Sequence, residues 1–136
     1  MVITYVKSVD MPRAGMMFKQ TFIGMKPAPT VASYASRGPS QYFQNILKPD
    51  IMAPGTGTSF ACPHVAGVAA LLKSTHPKWS VAAVISAIIT TSNILDNNGH
   101  PIQEYRNRFQ LASPLDMGAG NIDPNKALDP GLPYPM

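Results

Sequence analysis

At 136 residues the chain suits one domain and is too short for two comfortable ones. With 45% hydrophobic and 13% charged residues, it is too apolar and too sparsely charged for a disordered chain. The net charge of +4 comes from basic residues scattered between Lys7 and Lys126, with no cluster and no aromatic-basic stripe. That pattern describes a solvated surface and argues against nucleic acid as a partner.

Cys62 is the only cysteine, so an intrachain disulfide and a cysteine metal cage are both excluded, and no cofactor is expected. Residues 1–18 show no basic stretch leading into a long apolar run, so no signal peptide is expected. The longest apolar run, residues 65–72, falls far short of the ~20 residues that cross a bilayer; no membrane partner is expected.

Fourteen prolines and ten glycines predict many turns and interrupted elements. Residues 2–6 and 16–23, rich in Val, Ile, Phe and Thr, read as strands. After the extended Lys26-Pro27-Ala28-Pro29, residues 30–36 alternate in strand fashion and Arg37-Gly38-Pro39-Ser40 closes them as a turn. Residues 46–52 are interrupted by Pro49, and Ala53-Pro54-Gly55 ends that stretch.

From Ser59 to Ser74 the pattern becomes helical, with so little polar face that burial on most sides is expected. Gly67 inside this helix predicts close packing against a neighbour, and Pro63 lies near enough to the start to loosen only the first turn. His76-Pro77 stops the helix and Ser80 is the N-cap of the next. There Val81, Val84, Ile85 and Ile88 define an apolar face continuing to about Ser92. Asn97-Asn98-Gly99 is a turn. Asp123-Pro124 opens a short helix through Leu128, which Asp129-Pro130-Gly131 ends.

Gly57-Thr58-Ser59 sets a serine where a turn enters a helix. Unpaired N–H groups and the partial positive charge of a helix N-terminus stabilise an oxyanion forming beside such a serine. Taken alone, the same three residues also describe an ordinary N-cap.

The surrounding residues narrow the choice. Gly57-Thr58-Ser59-Phe60-Ala61-Cys62-Pro63-His64-Val65-Ala66-Gly67 resembles the active-site serine signature of subtilisin-like proteases, G-T-S-M-A-[SC]-P-H-V-A-G. Phe60 for Met is the one clear departure, and Cys62 is the plant-type choice. In the same order, V-A-S-Y-A-S-R-G-P at 31–39, I-L-K-P-D-I-M-A-P-G at 46–55 and H-P-K-W-S at 76–80 are similar to further segments of plant subtilases. Met117–Pro124 and Leu128–Leu132 resemble the segment that closes the catalytic domain.

The resemblance implies an α/β fold: an incomplete subtilisin-like parallel-sheet domain, of which this chain is the C-terminal portion with the Ser59 helix central. It implies Ser59 as nucleophile of a serine endopeptidase acting through an acyl-enzyme, with extended peptide or protein as substrate, in a family mostly secreted.

Serine needs a positioned base, and the base an orienting carboxylate. In the family both lie upstream, in H-G-T-H and D-[ST]-G; neither motif occurs in these 136 residues, nor does an oxyanion-hole Asn precede Ser59. Asn121 follows the serine and reads as a decoy. His64, five residues on, lies about 140° round a helix and about 7.5 Å along it, pointing away. His76 is about four turns off, and His100 sits beside a turn glycine with no carboxylate expected near it. Cys62 reads as a small hydrophobe, not a second nucleophile.

The family also separates A-P-G from G-T-S by a substantial segment, whereas here only Thr56 stands between Gly55 and Gly57. An internal deletion near 55–57 is therefore expected, in a partial catalytic domain lacking its upstream half. Two readings follow: a serine protease represented by an incomplete chain, inactive alone, or a non-catalytic derivative acting through binding.

Overall fold

A computed structural model describes residues 7–13, 23–55, 57–106 and 110–131. Helix and short strand are mixed along the chain. The strands expected at 2–6 and 16–23 lie outside the described residues, Ile23 excepted.

The longest element is α1, Thr58–Thr75. Its sequence is rich in Ala, Leu and Val, and Leu72 accepts the N–H of His76 at 2.8 Å where the helix ends. Helix α2, Val81–Thr90, is capped as expected: Ser80 Oγ accepts from the Ala83 N–H at 3.1 Å. Two short helices follow, α3 (Pro114–Met117) and α4 (Pro124–Leu128). Both start with proline at a position where no N–H is needed. Asp123 caps α4 through the Lys126 N–H.

α1, α2 and α4 pack against one another around Val68, Leu72, Val84, Ile88, Ile122 and Ala127. The α2 face is turned from its expected position. Ala83, Val84, Ala87 and Ile88 are buried, whereas Val81 and Ile85 stand 77% and 51% exposed. Val84 and Ile88 enter the core shared with α1 and α4, and the small Ala83 and Ala87 extend the buried face to their side in place of Val81 and Ile85. The helix ends at Thr90, whose successor Thr91 turns its hydroxyl back onto the Ala87 carbonyl.

Burial of α1 is one-sided, contrary to expectation. Only Val68 and Leu72 are buried on it; Phe60 and Leu71 are more than half exposed. A Cβ on Gly67 would meet nothing within 4 Å, so the close neighbour expected there is absent among the described residues. The apolar composition of α1 exceeds the surface that α2, α4 and the 51–53 segment cover.

Strand structure is sparse among the described residues. β1 (Gln103–Glu104) pairs antiparallel with β2 (Gln110–Leu111), Gln103 opposite Leu111. Isolated bridges join Val31 to Glu104 and Met52 to Asn121 in parallel, and Asn93 to Asn121 and Leu95 to Pro101 in antiparallel sense. A continuous strand at 30–36 does not form: Val31 alone bridges, and the chain then turns, with the Ala35 N–H on the Ala32 carbonyl. Arg37 holds that turn by donating to the carbonyls of Ala32, Ser33 and Ala35. The same guanidinium pairs with Glu104 at 2.8 Å and Asp116 at 2.6 Å. It thereby ties the turn, β1 and α3 around a second buried cluster of Val31, Ile102 and Met117.

Candidate active site

Gly57 occupies the N-cap position of α1, which makes Ser59 the second residue of its first turn. The N–H groups of Phe60 and Ala61 both bond the Gly57 carbonyl at 3.0 Å. Those of Thr58 and Ser59 precede any intrahelical acceptor, as the first donors of a helix must. Ser59 is exposed, so its hydroxyl and its own N–H are presented together at the positive end of an 18-residue helix. This is the chemical asset of the site: a hydroxyl and a backbone N–H without an intrahelical acceptor, side by side on a rigid element.

No base faces it among the described residues. His64 Nδ1 lies 2.9 Å from the Phe60 carbonyl. Because a carbonyl only accepts, that nitrogen carries the proton and serves the helix itself. Pro63, having no N–H, offers none to the Ser59 carbonyl four residues back. His76 stacks on Trp79 with centroids 3.9 Å apart, its Nε2 bonded to the Leu128 carbonyl at 2.9 Å. His100 does have a carboxylate near it, against expectation. Asp96 Oδ1 accepts the backbone N–H groups of Asn98 and His100 at 2.7 and 3.0 Å, closing the expected turn. Desolvation pushes the Asp96 carboxyl up, but these donors outweigh it and hold the group below the usual aspartate value. Cys62 is exposed and unpaired by any disulfide, not the buried hydrophobe expected.

Beside the first turn of α1 opens a cleft of about 320 Å³. Gly57, Thr58 and Ala61 form one wall, and Val31, Met52 and Asn121 line the other sides. Thr58 Oγ1 donates to Ser36 Oγ at 3.2 Å across its rim. Asp116, the carboxylate bordering the cleft, is committed elsewhere: Arg37 bonds Oδ1, and the Ser113 N–H and hydroxyl bond Oδ2 at 2.8 and 2.6 Å. Desolvation raises its pKa, but the bonds from Ser113 and from Arg37 prevail and the value is lowered. An aspartate so tied is a structural anion, not a base. No group of three or more His, Cys, Asp or Glu that could hold a metal ion occurs among the described residues.

Set on this geometry, comparison with known families is decisive: residues 2–120 match the model of the subtilase family. The chain belongs to the subtilase family. Over 162 residues it is 44% identical to subtilisin-like protease SBT3 of Solanum lycopersicum, covering 98% of this chain and 21% of that protein. Two proteases of Arabidopsis thaliana give similar figures. SBT1.5 is 42% identical over 156 residues, with 94% of this chain and 20% of the relative covered. SBT1.9 is 44% identical over 149 residues, with 89% and 18% covered. The chain thus spans about a fifth of the length of these curated relatives. The match to the tomato protease runs over 162 residues against the 136 of this chain, so that relative carries at least 26 positions that this subtilase skips.

Two features of the site escaped the sequence reading. Arg37 was legible only as the start of a turn, because Glu104 and Asp116 lie 67 and 79 residues away. Asn121 reads as a decoy after the serine, yet it borders the cleft, and its Oδ1 is buried without a hydrogen-bond partner among the described residues. Its only sequence signal is a polar residue between Gly120 and the buried Ile122.

Proposed function

We propose that Ser59 is the nucleophile of a subtilisin-like serine endopeptidase site and that these 136 residues do not hydrolyse peptides on their own. The supporting observation is the placement of Ser59: exposed on the first turn of α1, beside its own N–H, for which the helix offers no acceptor, inside the G-T-S-F-A-C-P-H motif. Attack on the carbonyl of an extended peptide by Ser59 Oγ would place the developing oxyanion near that N–H. Proton removal needs a base; the rings of His64 and His76 bond the Phe60 and Leu128 carbonyls, and His100 belongs to the turn closed on Asp96. In this reading the chain is the C-terminal part of a parallel-sheet α/β catalytic domain with α1 at its centre. The parallel bridges of Val31 and Met52 fit that assignment.

The positions that relatives carry in excess are assigned to the Gly55-Thr56-Gly57 junction. Gly55 has φ +149°, and a Cβ there would fall 2.7 Å from the Ala61 nitrogen. Only glycine tolerates so abrupt an entry into α1.

The experiment is labelling of the purified chain with a fluorophosphonate, alongside cleavage of a casein-derived peptide mixture, for the native chain and Ser59→Ala. Neither labelling nor cleavage above the Ser59→Ala background is expected, since loss of the histidine in subtilisin itself costs roughly a millionfold in turnover. Stoichiometric labelling of Ser59 with cleavage that disappears in Ser59→Ala would overturn the reading of inactivity. The alternative, a chain acting by binding alone, is favoured by the absence of a histidine–carboxylate pair at Ser59 among the described residues.

A further inference from the structure

We propose that Asn98 is a site of spontaneous covalent modification, an intramolecular deamidation that opens the 96–100 turn and frees the 25–28 segment held by it.

The chemistry needs a mobile side-chain amide, a following backbone nitrogen able to reach its carbon, and access for water. Asn98-Gly99 meets each need. Both residues are exposed. The Asn98 N–H donates to Asp96 Oδ1 at 2.7 Å, but its side-chain amide enters no hydrogen bond among the described residues. Gly99 has φ +78°, and a Cβ there would meet nothing within 4 Å. Its nitrogen is therefore uncrowded. The restraint on that nitrogen is its bond to the Asp96 carbonyl at 3.0 Å, made at the surface where water competes.

In the step itself the Gly99 nitrogen gives its proton to solvent and attacks Cγ of Asn98. The new N–Cγ bond closes a succinimide ring, and the Cγ–Nδ2 bond breaks with loss of ammonia. Water then opens the ring at either carbonyl, leaving aspartate or isoaspartate at position 98. Water is the co-reactant, and no electrons are exchanged.

The other asparagines show why the reaction belongs to this residue. Asn98 alone precedes glycine. Asn97 spends its amide at both ends: Nδ2 donates to the Met25 carbonyl at 2.8 Å and Oδ1 accepts the Ala28 N–H at 3.0 Å. Asn93 and Asn121 precede isoleucines, whose branched Cβ crowds the attacking nitrogen.

The product alters the turn in two ways. A carboxylate replaces a neutral amide two residues from the buried Asp96, whose Oδ1 accepts the N–H groups of residues 98 and 100. In isoaspartate the main chain also runs through Cβ and Cγ and is longer by one atom. The bonds of Gly99 and His100 back to Asp96 then lose their spacing. Asn97 lies inside this turn and ties it to the 25–28 segment. Besides its two side-chain bonds, its N–H donates to the Ala28 carbonyl at 2.7 Å. Pro29 and Thr30 come next in the chain and line the cleft beside α1, so conversion at Asn98 loosens one wall of that cleft.

The test incubates the full 136-residue chain in mildly alkaline buffer and follows released ammonia. Peptide mapping and enzymatic methylation of isoaspartate locate the product. Asn98→Gln is the control, because its amide carbon lies one atom beyond the reach that closes the succinimide. Stoichiometric ammonia and aspartate plus isoaspartate at position 98 are expected. The rate there should exceed that at any other asparagine by roughly tenfold or more, since only this one is followed by a residue without a Cβ. Hydrogen exchange at Ala28 and Asn97 should rise several-fold in the aged native chain and stay unchanged in Asn98→Gln. Equal ammonia release from Asn98→Gln overturns the proposal. So does an Asn98 that survives in the folded chain but converts in urea, since the turn would then protect it. Conversion at position 98 with Ala28 and Asn97 still protected overturns the release of the 25–28 segment.

Discussion

Replacing Arg37 by methionine tests the organisation of the fold most directly. The Arg37, Glu104 and Asp116 side chains are 14%, 10% and 16% exposed, so the network is shielded from solvent. Methionine keeps much of the aliphatic stem and removes the charge. Asp116 would keep its bonds to the Ser113 N–H and hydroxyl. Glu104, whose side chain has Arg37 as its hydrogen-bond partner among the described residues, would be stranded beside the Val31 cluster. Removing one partner of such a buried pair costs about 3–5 kcal/mol, chiefly because the remaining charge is uncompensated. At a urea slope of roughly 1–3 kcal/mol per M, the midpoint should fall by on the order of 2 M. Arg37→Met combined with Glu104→Gln should recover part of that loss, since the second change removes the stranded charge.

Acid supplies a second readout of the same network. The Asp116 pKa is lowered in the folded chain. A depressed carboxyl contributes stability that is present above its unfolded value, about 3.9, and is lost as pH falls through the folded value. The native chain should therefore weaken steadily below about pH 4, and Arg37→Met, lacking one cause of the depression, should show a flatter acid limb. Urea midpoints followed by circular dichroism at pH 7, 4 and 3 measure both effects. A loss below about 1 kcal/mol at pH 7, the value of exposed ion pairs, would refute the argument that these charges act as a buried unit.

Three further substitutions probe α1 and α2. Ser80→Ala removes the cap bond to the Ala83 N–H and should cost about 1 kcal/mol in thermal or urea unfolding. Gly55→Ala forces a side chain onto a glycine-only backbone and against Ala61, so a loss of about 1–3 kcal/mol from strain is expected. Gly67→Ala should do the reverse. With open space around the added methyl, the helix gains about 1 kcal/mol, and a destabilised Gly67→Ala chain would mean that a neighbour covers this face.

What could be read beforehand follows the range of the interaction. Ser80 bonds three residues ahead, Asp123 three, and Asp96 two and four. Such local bonds announce themselves as cap and turn residues, and the helix starts at 81 and 124 were legible for that reason. The face of α2 was not. Its Ala83 and Ala87 are weakly hydrophobic as letters, yet they are buried beside Val84 and Ile88 while Val81 and Ile85 stay exposed. The one-sided burial of α1 was equally hidden, because composition states what a helix can bury and not what is present to cover it. Residues 30–36 show the same limit in strand form. Alternation predicted a strand, but Arg37 gathers three carbonyls of that stretch and bends it after a single bridge.

The site divides along the same line. The placement of Ser59 was legible because it is local: a glycine, a serine and the first turn of a helix fix the hydroxyl and its own N–H within a few residues. A base is not local in this architecture. It reaches a serine through folding of distant chain, so the histidines close in sequence, His64 above all, were poor candidates on helical geometry and are occupied by the helix and by Trp79 and Leu128. Asn121 carries the argument one step further. Position alone removed it as an oxyanion donor, and that inference concerned only its amide nitrogen. Its oxygen is the informative atom: on the wall of the cleft beside α1 it is a buried acceptor without a donor among the described residues, a feature that no reading of sequence order could reveal.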